Sequence, residues 1–214
     1  QVLANEVPLR VTPGPVGSYM NGLFGDVTFC DAQNQCVEVK DMLFDTGSSG
    51  IRVLQSALPN NGFLPTTKMG GRNVASCALY ASGYAWGEVT SATVRIGNMT
   101  TTVPIPVHVV GRSSNTVPED CSAGSQPLNT RAQLRANGII GIGVFSKDCG
   151  RLCDLAPTVA YWTCDTFDCW ASKMPMANQI TNPISAMPAP FNNGTVISLP
   201  AIPSAGAKDV IGKL

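Results

Sequence analysis

The segment at residues 43–51 constrains the fold more than any other part of the chain. A run of bulky apolar residues ends there at Asp45, small polar residues follow, and apolar residues resume at Ile51. The apolar stretches at 42–44 and 51–54 indicate two buried strands, and the Asp-Thr-Gly between them suits a tight turn. A strand that carries one acid to the edge of a core, among hydroxyl and backbone N–H groups, can hold that acid ionised or let it share a proton.

The composition favours an all-β secreted protein. Only 13% of the 214 residues are charged, the formal net charge is zero, and the chain contains 21 glycines and 16 prolines. This length can bury the core of one domain or of one large lobe of a larger protein. The chain has no run of Lys or Arg, so we expect no nucleic-acid partner. It has no apolar run of about 18 residues, so we expect no membrane span.

Eight cysteines in a chain rich in glycine and proline predict four disulfides and a secreted or periplasmic location. Zinc binding is the alternative. The pairs Cys149/Cys153 and Cys164/Cys169 resemble zinc-ligand pairs only loosely, because the two cysteines of each pair are further apart in the sequence than zinc ligands usually are. The first two cysteines would close a hairpin, the next two are partners by elimination, and the pairing of the last four stays open. In chain order the eight are Cys30, Cys36, Cys77, Cys121, Cys149, Cys153, Cys164 and Cys169.

The chain is organised as one lobe with short extensions. Residues 1–18 form a proline-rich extended arm, residues 19–199 form the lobe, and residues 148–170 are a cysteine-rich insert within it. Residues 200–214 end in an apolar stretch that indicates the beginning of a strand. We expect this stretch to pair with, or run towards, a second lobe or a partner chain.

Several strands can be placed from alternation and turn residues. Residues 19–29 and 36–44 predict a hairpin whose second strand ends in Asp45. Residues 103–110 predict a further strand, which two prolines would push to a sheet edge. Residues 195–199 predict a late strand.

Three segments, taken in order, resemble pepsin-like aspartic peptidases. Phe44-Asp-Thr-Gly-Ser-Ser resembles their active-site turn. The hairpin at residues 77–89, with Tyr80, Gly83 and Gly87 at the family's spacing, resembles the flap that covers the substrate. Gly138-Ile-Ile-Gly resembles the segment that crosses beneath the turn, where glycine lets two backbones approach closely.

This resemblance implies an all-β, pepsin-like barrel or sandwich lobe with a disulfide-rich insert, closest to bacterial secreted pepsin-like proteins of unknown function. Its implied activity is that of an aspartic endopeptidase, a hydrolase that acts on a peptide or protein substrate without a metal or organic cofactor. The implied site residues are Asp45 as the catalytic acid, Thr46, Gly47 and Ser48 in the turn around it, Tyr80, Ser82 and Gly83 against the substrate, and Ile140 and Gly141 beneath.

The mechanism needs a second carboxylate, because two acids held close together share one proton. The chain contains no second Asp-Thr-Gly or Asp-Ser-Gly. The second acid would come from another lobe or chain, which we favour, or from a second copy in a homodimer. The alternative is a non-catalytic pepsin-like module that binds or inhibits another protein. The other aspartates considered, all expected to be solvated, are Asp120, Asp148, Asp154, Asp165, Asp168 and Asp209.

Two further positions draw attention. Arg52 occupies the place where pepsin-like enzymes usually have a tryptophan that bonds to the flap tyrosine, which leaves the closure of the flap open to question. His108, the single histidine, lies in an apolar stretch and is expected to be a packed residue rather than a catalytic one.

Overall fold

The computed structural model describes residues 5–113, 115–202 and 210–214. It is mostly β-sheet, with 42% strand and 11% helix, so the predicted all-β class is confirmed. Residues 1–4 of the predicted arm, and residues 203–209 of the predicted connection with Asp209 among them, lie outside the described residues.

The described residues form thirteen strands and a few short helices. The strands are β1 (Pro8–Thr12), β2 (Gly22–Cys30), β3 (Cys36–Asp45), β4 (Ser49–Leu54), β5 (Lys68–Met69), β6 (Arg72–Tyr80), β7 (Gly83–Ile96), β8 (Met99–Thr100), β9 (Ile105–Val110), β10 (Gly138–Ile142), β11 (Tyr161–Cys164), β12 (Cys169–Ala171) and β13 (Val210–Lys213). The α-helices are α1 (Glu119–Ser122), α2 (Arg131–Leu134) and α3 (Arg151–Leu155), and single 3₁₀ turns span Gln55–Ala57, Met176–Asn178 and Pro183–Ala186.

Six strands close into a barrel, in the order β7, β9, β4, β10, β3 and β2. The ring closes because the long strand β7 bends across it, pairing with β9 through one half and with β2 through the other. Buried branched and aromatic side chains fill the interior, among them Phe29, Val94, Val107 and Ile140. Such a ring removes exposed strand edges and holds each strand end at a fixed place.

Two extensions flank the barrel. On one side, β1 pairs with β2, and β13 pairs with β1. On the other side, β6 pairs with β7, and the strands of the cysteine-rich insert, β11 and β12, extend the sheet from β6. The insert is therefore continuous with the hairpin β6–β7, and Trp162 packs edge-to-face on Trp86 at 6.2 Å between ring centroids.

Two local expectations are corrected, and the last stretch of the chain finds its own place. Strand β9 is paired on both sides, by β4 and β7, instead of lying at an edge; its Pro106 is tolerated because β4 pairs only from His108 onward. Residues 195–199 form no strand beyond one isolated bridge at Ser198. The stretch at residues 210–213 pairs with β1 of the same chain.

Four disulfides account for all eight cysteines, as predicted. Cys30–Cys36 closes the hairpin β2–β3, and Cys77–Cys121 ties β6 to α1. The last four cysteines pair locally, as Cys149–Cys153 and Cys164–Cys169, which settles the pairing that the spacing left open. Four disulfides are consistent with an extracellular or periplasmic protein.

Helices in the described residues are all short. None of them is long and apolar enough to cross a membrane.

Candidate functional site

Asp45 ends β3 and faces the bend that leads into β4. The backbone N–H of Gly47 donates to its Oδ1 at 2.9 Å, and the Ser48 hydroxyl donates to its Oδ2 at 2.6 Å. The first of these bonds is common in ordinary Asp turns. The second is charge-assisted and fixes the other carboxylate oxygen, so both oxygens have a defined direction. Asp45 is half-buried, while Thr46 and Gly47 at the tip of the bend are exposed.

Strand β10 passes directly beneath this bend, between β3 and β4. It runs parallel to β3, with Gly141 opposite Asp45, and antiparallel to β4. A Cβ on Gly141 would lie 2.7 Å from the backbone of Ser48 and Ser49, closer than real Cβ atoms approach. Glycine is therefore required there, and the adjacent Ile140 is fully buried in the barrel core.

The hairpin β6–β7 carries Tyr80 over the site. Ser82 is exposed at its tip, while Gly83 is buried with a φ of +148°. A Cβ on Gly83 would meet the carbonyl oxygen of Gln126 at 2.1 Å, so this glycine packs against the neighbouring loop. Of the three predicted hairpin residues, Tyr80 and Ser82 thus line the space next to Asp45, and Gly83 supports the hairpin from behind.

Three concavities meet at Asp45. The largest, of about 660 Å³, lies between the Asp45 bend, the hairpin and the insert, and we call it the main cleft. A second, of about 440 Å³, lies on the other side of Tyr80, and a third, of about 510 Å³, runs towards β1 and β13. Exposed apolar side chains border the main cleft, namely Leu79, Val144, Phe145 and Val159. A chain of extended shape could therefore cross Asp45 from one concavity into the next.

A buried ion pair lies at the inner wall of the main cleft. Arg52 Nη2 and Asp148 Oδ2 are 3.0 Å apart, with only 6% and 7% of the two side chains exposed. The Tyr161 hydroxyl donates to Asp148 Oδ1 at 2.5 Å and accepts the N–H of Ile180 at 2.7 Å. The expectation that Asp148 is a solvated loop residue is therefore wrong, because the insert folds it inward against Arg52.

Burial decides the protonation of the groups around this pair. It raises the pKa of Asp148, against the opposing charge of Arg52 and the hydrogen bond from Tyr161. It also raises the pKa of Tyr80 and, much further, that of Tyr161, so both phenols stay protonated and can donate. Burial and the charge of Arg52 together lower the pKa of His108 well below its usual value, which keeps this histidine neutral.

Several buried polar atoms near the cleft have no hydrogen-bond partner among the described residues. They include Arg52 Nε, the Tyr80 hydroxyl and both ring nitrogens of His108. Arg52 and Tyr80 both line the main cleft, and Arg52 pairs with His108 across neighbouring strands. Buried polar atoms are rarely left unpaired in proteins, and two of the seven such atoms in the described part of the chain belong to residues that line this cleft.

The resemblance pointed to Arg52 only as a departure beside the flap, Asp148 was expected to be solvated, and Tyr161 was not singled out. One signal was available: a lone arginine inside the apolar stretch Ile51-Arg-Val-Leu has to find an acid if that stretch is buried. The sequence does not show which acid pairs with Arg52, because Asp148 is 96 residues away.

Chemically, the site offers one oriented carboxylate open to a cleft. Asp148 is the other acid that lines the main cleft, and it is engaged by Arg52 and Tyr161. A reaction that needs two free carboxylates would therefore have to obtain the second from outside the described residues.

The match to known proteins extends over the whole sequence, from the N-terminal arm through the insert to β13. A protein-family model described as "Protein of unknown function (DUF3443)" matches residues 1–214. No curated protein matches the chain. The family description conveys no activity, so the chemistry has to be argued from the site itself. Because the model covers every residue, the chain belongs to the DUF3443 family of proteins of unknown function.

Proposed function

We propose that the chain is a pepsin-like lobe of a secreted or periplasmic aspartic endopeptidase of bacterial type, with Asp45 as one of its two catalytic acids. The arrangement of β3, β4 and β10 supports this proposal. Two strands joined by an Asp-Thr-Gly bend, with a third strand passing between them, agree with the crossing that the resemblance implies. The closed barrel and the hairpin over the bend agree with the same fold.

The observation that carries the proposal is the combination of orientation and access at Asp45. Both carboxylate oxygens accept a hydrogen bond from the bend itself, at 2.9 and 2.6 Å. The same side chain borders all three concavities. A structural Asp in a turn needs the first property and not the second, whereas a catalytic acid needs both.

In the proposed mechanism, Asp45 and a second carboxylate share one proton. The ionised acid takes a proton from a water held between them, the water attacks the peptide carbonyl, and the protonated acid gives its proton to the carbonyl oxygen. The second acid comes from another lobe, another chain or a second copy. The substrate lies extended under the hairpin β6–β7, beside Tyr80, and pairs with it as an added strand.

The test is cleavage of an unfolded protein at acid pH by the natural assembled protein, with and without Asp45→Asn. We expect the substitution to abolish cleavage, and the matched change Asp120→Asn, at an exposed position on α1, to leave it intact. Equal cleavage by the wild type and Asp45→Asn would rule out Asp45 as the catalyst.

A non-catalytic role in binding an extended protein segment is the second candidate. It is favoured by one observation: the other acid of the main cleft, Asp148, is already engaged by Arg52. The two candidates separate in a binding assay with a peptide that carries a hydroxyl group in place of the scissile carbonyl. A peptidase binds this peptide through Asp45, and Asp45→Asn weakens binding, whereas a binding module holds it equally well with either residue.

A further inference from the structure

We propose that Arg52 and Asp148 are positioning residues for Asp45, and that the disulfide-rich insert is the anchor against which they hold its bend. The inference deepens the proposed function and rests on it for its catalytic consequence. Its structural part, that the insert fixes the Asp45 bend through Arg52, stands on contacts in the molecule and can be tested without any activity.

The first contacts join Arg52 to the backbone just after the bend. Its Nη1 donates to the carbonyl oxygens of Ser49 at 3.1 Å and Gly50 at 3.3 Å. The preceding residue, Ser48, supplies the hydroxyl that holds Asp45 Oδ2, and its carbonyl accepts the N–H of Gly143 at 2.9 Å. The guanidinium therefore fixes the two peptide groups that follow the residue in contact with the carboxylate.

The second set of contacts fixes Asp148 within the insert. Besides Arg52, its carboxylate accepts the Tyr161 hydroxyl, and its own N–H donates to the carbonyl of Ile180 at 3.1 Å. Cys149, the next residue, is closed onto Cys153 by a disulfide. Asp148 is therefore restrained at its backbone, at its carboxylate and through the disulfide of the next residue. This makes it a rigid support for the guanidinium.

Stability alone does not explain such a pair. Removing two charges from water is costly, and packed apolar residues of the same volume often stabilise a core as well or better. The planar fork of an arginine, however, bonds two carbonyls through Nη1 and a carboxylate through Nη2, whereas a lysine has all its donors on one nitrogen and an apolar residue has none. An arginine at the wall of the main cleft is therefore explained by the arrangement of its hydrogen bonds rather than by stability.

The same guanidinium lies beside the hairpin. Arg52 and Tyr80 both line the main cleft, and Arg52 Nε and the Tyr80 hydroxyl are buried with no partner among the described residues. A donor on Arg52 therefore remains for the hairpin or for a group brought in beneath it. The bend, the insert and the hairpin thus meet at one side chain.

The structural test compares Arg52→Lys with Arg112→Lys in the full chain. Arg112 forms a similar partly buried pair with Glu88, at 3.0 Å, and borders none of the three concavities. We expect Arg52→Lys to speed hydrogen exchange at the amides of Gly47 and Gly143 about 10-fold, relative to the core amide of Val94, and the control to change neither. Unchanged protection at both amides would overturn the inference.

Asp148→Asn is the second variant, because it keeps the shape and one acceptor and loses the charge. It should also speed hydrogen exchange at the amides of Gly47 and Gly143. If Arg52→Lys fails to fold, Asp148→Asn therefore still tests the inference.

Where the wild type cleaves peptides through Asp45, Arg52→Lys should lower kcat about 10- to 100-fold with KM nearly unchanged, because a displaced acid affects the reacting geometry more than binding. Absence of Asp45-dependent cleavage would refute the proposed function and leave the amide result as the test of the anchor.

Discussion

Two arginines of this fold, Arg52 and Arg112, make the same kinds of bond at two places. Each pairs with a carboxylate at 3.0 Å, Arg52 with Asp148 and Arg112 with Glu88. Each also donates to a backbone carbonyl and ties a segment distant in sequence onto the barrel. Chemically they form a matched pair, so the differences between them carry information.

The network around Arg112 is complete. Its three nitrogens contact Glu88, the carbonyl of Leu64 at 2.7 Å and the hydroxyl of Thr66 at 2.9 Å. Thr66 in turn donates to Glu88 at 2.5 Å. The result is a closed set of hydrogen bonds that fastens the loop before β5 to β7, as expected of a structural ion pair.

The network around Arg52 is incomplete, and it lies at a cleft. Within the part of the chain that the structure describes, its Nε has no partner, the neighbouring His108 has none at either nitrogen, and the Tyr80 hydroxyl beside it has none. Proteins satisfy their buried polar atoms when only stability is at issue, and exceptions gather at functional sites. The comparison therefore separates a structural ion pair from one that serves the Asp45 bend.

The largest expected difference concerns loss of the cation. Arg52→Leu leaves Asp148, 7% exposed, without its counter-charge, and should lower the free energy of unfolding by about 3–5 kcal/mol. Arg112→Leu leaves Glu88, 14% exposed and still bonded to Thr66, and should cost about 1–3 kcal/mol. Urea unfolding followed by tryptophan fluorescence measures both.

The double variant Arg52→Leu/Asp148→Leu sharpens this prediction. Removing both charges should recover most of the lost stability, because the cost comes from the unpaired carboxylate rather than from the missing bonds. If Arg112→Leu proves as costly as Arg52→Leu, the distinction between the two arginines does not hold.

A smaller difference is expected at the hydroxyl that supports each carboxylate. Tyr161→Phe removes a donor from Asp148 and the acceptor of the Ile180 N–H, both buried, and should cost about 2 kcal/mol. Thr66→Val removes the corresponding donor from Glu88 at a half-buried position and should cost about 1 kcal/mol. Thermal unfolding of the two variants shows which one loses more stability. A larger loss for Thr66→Val would contradict the view that Asp148 is the more deeply buried of the two carboxylates.

The features that the sequence predicted are those encoded by neighbouring residues. Alternation and turn residues placed the hairpin β2–β3 and the hairpin β6–β7, and cysteine spacing gave Cys30–Cys36. The bend at Asp45 was readable for the same reason, since an apolar run, an acid and a glycine lie side by side.

The features that could not be predicted from the sequence depend on contacts between segments that are distant in the chain. Strand β9 was expected at an edge because its prolines are visible in the sequence, whereas its partner on each side is not. Strand β13 finds β1 about 200 residues earlier, and Asp148 finds Arg52 across 96 residues. Local propensity carries no signal for such pairings, so the wall of the main cleft became apparent only in the folded chain.

The last predicted effect is a loss of stability in acid that arises at His108, which is buried next to Arg52. The folded pKa of His108 is well below the 6.5 of the unfolded chain. Below pH 6.5 the unfolded state therefore binds a proton that the folded state does not, and stability falls as the pH falls. Between about pH 7.5 and 5.5 the loss should be about 1.4 kcal/mol.

Since His108 is the single histidine, His108→Leu should remove this dependence. Asp148 acts in the opposite direction: its raised folded pKa means that the folded state gains protons first, which favours folding as the pH falls. Urea unfolding of both proteins at the two pH values isolates the histidine as the difference between them. The same slope in wild type and His108→Leu would show that neither burial nor the charge of Arg52 lowers the pKa of His108 in the folded protein.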